Sequence, residues 1–143
     1  MSETKIEPKC TFENLDEAHH YLTEWQKRLF LDDWLVTVEI DVPKSKMHEH
    51  ANAEVAICLV NKTAKIKICG KEEYDKENPK KYCAEALLVH ELVHLCLDDC
   101  DIEGDVVYTI AVFDIMRHAK VEQMAKSLIM AKYGIDFSWF RNF

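Results

Sequence analysis

Apolar residues first recur at helical spacing at Leu15, Ala18, Leu22, Trp25 and Leu29. This predicts a helix with one inward side, running to about Phe30 and capped by Thr11 or Asn14. After Asp32-Asp33 the period changes. Trp34, Val36, Val38, Ile40 and Val42 alternate with Leu35, Thr37, Glu39 and Asp41, which predicts a half-buried strand ended by Pro43. A polar loop over Lys44–Asn52 follows. Alternation resumes over Ala53–Val60 and again over Ala64–Cys69, with Asn61-Lys62-Thr63 as a turn between them. These two runs read as an antiparallel hairpin. Lys65 and Lys67 suggest that the third strand turns one face to water and guards an exposed edge. Gly70 to Pro79 is a charged loop, with Pro79 near the first turn of the next helix. Past an acidic loop at Asp101–Gly104, Asp105 can cap a long helix from about Val106 to Lys132, and Gly134 stands where its C-terminal cap belongs. The aromatic tail (Phe137, Trp139, Phe140, Phe143) is expected to dock on the body. The expected architecture is α+β: an N-terminal helix, a small three-stranded twisted sheet and two further helices, in a single domain over residues 1–143.

The stretch Tyr82–Cys100 differs from the rest. It has neither Gly nor Pro and is apolar nearly all round, so it predicts a helix buried on most sides. At its centre lies His90-Glu91-Leu92-Val93-His94. In a helix, His90 and His94 are one turn apart and point the same way. Two such imidazoles can hold one Zn²⁺, and Glu91 can act as base on a water beside it. Ionisable groups in apolar surroundings are costly unless they are paired or bind a metal.

Composition narrows the choices. With 48% apolar and 31% charged residues, the balance is that of an ordinary globular chain. A net charge of −8 without a basic stripe argues against nucleic acid as a partner. No apolar run reaches membrane-span length, and Met1-Ser2-Glu3-Thr4-Lys5 is not followed by a secretory core, so a cytoplasmic protein without membrane contact is expected. Most of the six cysteines are expected to be reduced and buried, and no zinc-finger spacing joins them. His19 and His20 read as surface residues, and His48-Glu49-His50 as part of a solvated loop.

A catalytic zinc usually takes three protein ligands and keeps one position open. A metzincin continuation would need a glycine and a histidine where this chain has Leu97 and Cys100. On the long helix, Asp114, His118 and Glu122 share one stripe at four-residue steps. Glu122 is the leading candidate for third ligand, with His118 as the alternative. Tyr108 and His118 are candidate donors to the oxyanion of a peptide under attack.

An HExxH helix followed by a glutamate helix carrying Val121-Glu122-Gln123-Met124-Ala125 resembles the gluzincin zinc metallopeptidases. In its small size the chain is similar to minimal gluzincins and to metallopeptidases of phages and prophages, and more distantly to ImmA/IrrE-like proteases. The resemblance spans about residues 12–132. It implies a zincin-like fold, with Zn²⁺ held by His90, His94 and Glu122. It also implies peptide hydrolysis through a water activated by Glu91 and a peptide or protein substrate; the oligomeric state is open, with a monomer favoured. Two positions depart from the pattern. Lys126 stands where gluzincins often place the Asp that orients a zinc-bound His, and Ala131 stands where the ImmA-like helix often has Pro. What orients His90 is therefore open among Asp98, Asp114 and a backbone carbonyl. The competing readings are a zinc hydrolase acting on something other than peptides, a metal-binding but non-catalytic assembly protein, and an inhibitor that uses its acidic surface.

Overall fold

The computed structural model describes residues 6–48, 51–97 and 107–141, with side chains described over 6–48, 51–97 and 118–141. Its order is α1 (Leu15–Arg28), β1 (Leu35–Val42), β2 (Ala53–Cys58), β3 (Thr63–Cys69), α2 (Ala84–Cys96) and α3 (Val107–Tyr133), with a short 3-10 turn at Phe137–Phe140. The chain is thus α+β, with three helices and one small mixed sheet among the described residues.

Helix α1 starts where Asn14 Oδ1 accepts the Glu17 N–H at 2.8 Å. Ala18, Leu22 and Trp25 are buried as the periodicity predicts, whereas Leu15 at the first turn is 47% exposed. The helix stops at Arg28, two residues before the expected end. Phe30 N–H donates to Lys27 O and Leu31 N–H to Gln26 O, the paired closure of a Schellman motif.

The sheet order is β1-β3-β2. β2 and β3 form the expected antiparallel hairpin, with Ala53 opposite Ile68 and Cys58 opposite Thr63. β1 lies parallel to β3, pairing Leu35 with Thr63 and Glu39 with Lys67. The third strand is therefore central, which corrects its reading as an edge. Lys65 and Lys67 face water, but they guard no edge: they pair across strands with Glu39 at 3.0 Å and Glu54 at 3.8 Å. The other face carries Val36, Val38, Ala64, Ile66 and Ile68 into the core against α1 and α2.

Helix α2 begins at Ala84, later than Pro79 suggested. Residues 80–83 are committed elsewhere: Lys80 bridges Arg141, and Lys81 N–H donates to Phe140 O at 2.9 Å. The first helical N–H groups are taken by the chain's beginning, Ala84 N–H by Cys10 O and Glu85 N–H by Lys9 O. Of the tail, Phe140 is fully buried, as expected of a docked segment, while Phe137 remains 46% exposed. Helix α3 closes at Gly134, whose φ is +64° and whose N–H reaches Met130 O at 2.8 Å. No helix among the described residues is long and apolar enough to cross a membrane.

The predicted burial of α2 is observed: only Leu87, His90 and Cys96 escape its buried set. One member of that set is Glu85, at 0% exposure. Its carboxylate accepts Trp25 Nε1–H at 2.8 Å from α1, Tyr133 O–H at 2.7 Å and Lys132 Nζ at 3.0 Å from α3, and Lys9 N–H at 2.8 Å. A buried carboxylate is tolerable when its oxygens are saturated by donors and a cation. Here it also binds three helices to one another.

Candidate metal centre

His90 and His94 lie on one face of α2, with ring centroids 5.1 Å apart. His118 comes across from α3, 4.9 Å from His94 and 6.5 Å from His90, centroid to centroid. One nitrogen from each of the three rings can be chosen so that all lie within 4.8 Å of one another. A tetrahedral zinc with ligands at about 2.0–2.1 Å needs nitrogens about 3.4 Å apart. The rings need close by little more than an ångström, which side-chain rotation supplies. Three imidazoles are also a donor set that suits zinc with an open fourth position. The residues present fit a metal ion.

Glu122, expected as the third ligand, lies outside this group of three. Its Oε2 is 2.6 Å from His90 Nδ1, and its Oε1 takes Lys80 Nζ at 3.2 Å and Lys126 Nζ at 3.3 Å. Burial alone would raise its carboxyl. The His90 hydrogen bond and the Lys126, His90 and Lys80 charges outweigh that and hold it well below the usual carboxylate range. An ionised Glu122 at Nδ1 fixes the His90 tautomer that leaves Nε2 free to bind a metal. The orientation of His90, which Lys126 left unexplained, thus comes from Glu122 itself, and Lys126 neutralises Glu122 from behind. His118, the alternative ligand, completes the cluster. Glu91 sits beside His90 and is 5% exposed. Asp98, Cys100 and Asp105 lie outside the described residues, as do the side chains of Tyr108 and Asp114.

A cleft of about 310 Å³ adjoins the cluster along the N-terminal half of α2. Its floor is Cys83, Ala86, Leu87, His90 and Glu91; one wall is Asn52 and Ala53 at the head of β2; the others come from the 74–81 segment and from Glu122 and Lys126 on α3. The 74–81 wall is tied down, since Tyr74 O–H donates to Lys80 O at 3.0 Å and Tyr82 O–H to Cys69 O at 2.7 Å. β2 is an edge strand, and Asn52 and Ala53 at its start line this cleft. Comparison with protein-family models, curated proteins and solved structures finds no match to this chain.

The remaining candidates fall outside the centre. His19, His20 and His48 are exposed, as expected of surface residues. Among the described cysteines only Cys69 and Cys83 are buried, and Cys58 and Cys96 are exposed, fewer buried than expected. Cys10 Sγ donates to Pro8 O and Cys83 Sγ to Lys9 O, and the interaction between the two thiols lowers that of Cys10 to about 6 and raises that of Cys83. The residues missed by sequence reasoning are Glu85, Asn52, Lys80 and Lys81. Only Glu85 carried a local signal, as a charge inside an otherwise apolar helix.

Proposed function

We propose that the chain is a zincin-like zinc metallopeptidase in which His90, His94 and His118 hold the metal, Glu122 orients His90, and Glu91 is the catalytic base. The observation that carries this reading is the three-imidazole cluster with Glu91 on the same helix. When bound, Zn²⁺ would polarise a peptide carbonyl and make a water acidic enough to give up its proton near neutral pH. The Glu91 carboxylate takes that proton as the water oxygen adds to the carbonyl. It returns the proton to the amine nitrogen as the C–N bond breaks. The free edge of β2 above the cleft suits an extended peptide added as a further strand.

The test joins metal content to hydrolysis. Purified protein should bind one Zn²⁺ or Co²⁺ and cleave peptides, and Glu91→Gln should keep the metal while losing cleavage by at least about a hundredfold. Stoichiometric metal without hydrolysis of any peptide would favour the non-catalytic binding protein instead. Activity retained in Glu91→Gln would remove the mechanism.

A further inference from the structure

The cleft beside the histidines is basic, although the chain as a whole carries −8. Lys80, Lys81 and Lys126 line it, against only Glu91 and Glu122. Lys80 and Lys126 both lean on Glu122 Oε1. Lys81 is different. Its Nζ stands 3.3 Å from the centroid of the Trp139 ring, and no carboxylate among the described residues lies within ion-pair distance of it. Its backbone is pinned by the Phe140 carbonyl. The ring face and the backbone bond hold this ammonium in place without neutralising it, so most of the cost of ordering it is met before a ligand arrives. A metal ion at the histidines would add further positive charge.

A second observation lies on the opposite wall. Asn52 Oδ1 is buried and takes no hydrogen bond. An acceptor removed from water without a donor is costly, and Asn52 is among the residues that line the same cleft. The two walls therefore offer an acceptor for an N–H group and a cation for a carboxylate.

We infer that the cleft takes a peptide bearing a carboxylate next to the bond to be cut, with Lys81 pairing with the carboxylate and Asn52 Oδ1 accepting a peptide N–H. The carboxylate is that of an acidic side chain or of a free C-terminus; either supplies the same group. This inference rests on the peptidase reading above. The contact is short-ranged, because salt screens the acidic remainder of the surface beyond about 8–10 Å.

The experiment measures binding separately from turnover. Zinc-loaded Glu91→Gln protein is titrated against short fluorescent alanine-rich peptides followed by anisotropy. In one arm a single Glu is compared with Gln, both with amidated C-termini. In the other a neutral peptide with a free C-terminus is compared with its amide. One arm should show a preference of about tenfold for the carboxylate, and that arm identifies its source. Lys81→Met should abolish the preference and Lys81→Arg should keep it, with thermal melts run on each. Asn52→Asp, which leaves the Lys81–Trp139 contact intact, should also reverse the preference by setting a negative charge across the cleft. Equal binding in both arms, no binding at all, or a preference that survives in Lys81→Met overturns the inference. If wild-type zinc protein binds the carboxylate peptides with this preference but does not cut them, the peptidase reading fails while the carboxylate site stands.

Discussion

Truncating Glu85 would strand the Trp25 indole N–H and the Tyr133 hydroxyl and leave the Lys132 ammonium with its other partner, Glu24 at 2.9 Å. Leaving such donors without their acceptor typically costs about 1–3 kcal/mol each. Glu85→Ala should lose that much in urea denaturation, and Glu85→Gln, which keeps an acceptor, should lose less. At the proposed metal centre, His118→Ala should abolish stoichiometric Co²⁺ binding, whereas Glu122→Gln should weaken it by about 10–100-fold, the usual effect of removing a ligand's orienting partner. Equal loss in the two variants would restore Glu122 to the ligand set. At this scale, His90, Glu91 and His94 were legible because helical spacing alone aligns them. Glu122 and His118 were legible only as a shared stripe: which of them meets the other two rings depends on how α3 packs on α2, and no local pattern encodes that. Glu85 showed only as a charge inside an apolar helix, because its partners at positions 9, 25, 132 and 133 are distant in sequence.

The closure of α1 puts Phe30 at φ 58° with 89% exposure, in the left-handed position that helix C-termini usually give to glycine. A Cβ there costs about 1–2 kcal/mol. Phe30→Gly should therefore stabilise the protein, by about 1 kcal/mol after the added chain entropy of glycine, read as a higher melting temperature. At the other end of α1, Asn14→Ala should cost about 1 kcal/mol in the same assay through loss of the cap. Helices and strands were legible to within a few residues because each carries its own period. Their arrangement was not. Nothing in β1 states that it will pair with β3 rather than β2, and the lysines of β3 look the same on a central strand as on an edge. Helix α2 starts late because its first donors and the residues before it are claimed by Lys9, Cys10 and Phe140, contacts no local propensity could supply.

Across the whole molecule, tyrosines join separate layers. Burial pushes the Tyr74 hydroxyl up to about 12, and burial, reinforced in Tyr133 by the Glu85 hydrogen bond, raises those of Tyr82 and Tyr133 well above the ordinary value. Below pH about 10 both folded and unfolded chains hold these protons; above it the unfolded chain gives them up first. Stability should thus fall as pH rises past about 10, and Tyr82→Phe should make that fall shallower in urea titrations across the alkaline range. The docked Phe140 and the fully buried Glu85 similarly tie the chain's two ends to its centre. The β1-β3-β2 order bears also on the time course of assembly. β1 is made first, but its partner comes third, so β1 has nothing to pair with until the hairpin exists. The local β2–β3 closure has the smaller entropy to overcome, and the parallel pairing, spanning a longer loop, comes after it. The turn between them holds Lys62 at φ 51° and presents Lys62 O to the Leu35 N–H at 2.9 Å. Relieving that residue with Lys62→Gly should quicken the refolding limb of a stopped-flow chevron and leave the unfolding limb nearly unchanged. The hairpin is the template, and the first strand is the late arrival that it recruits.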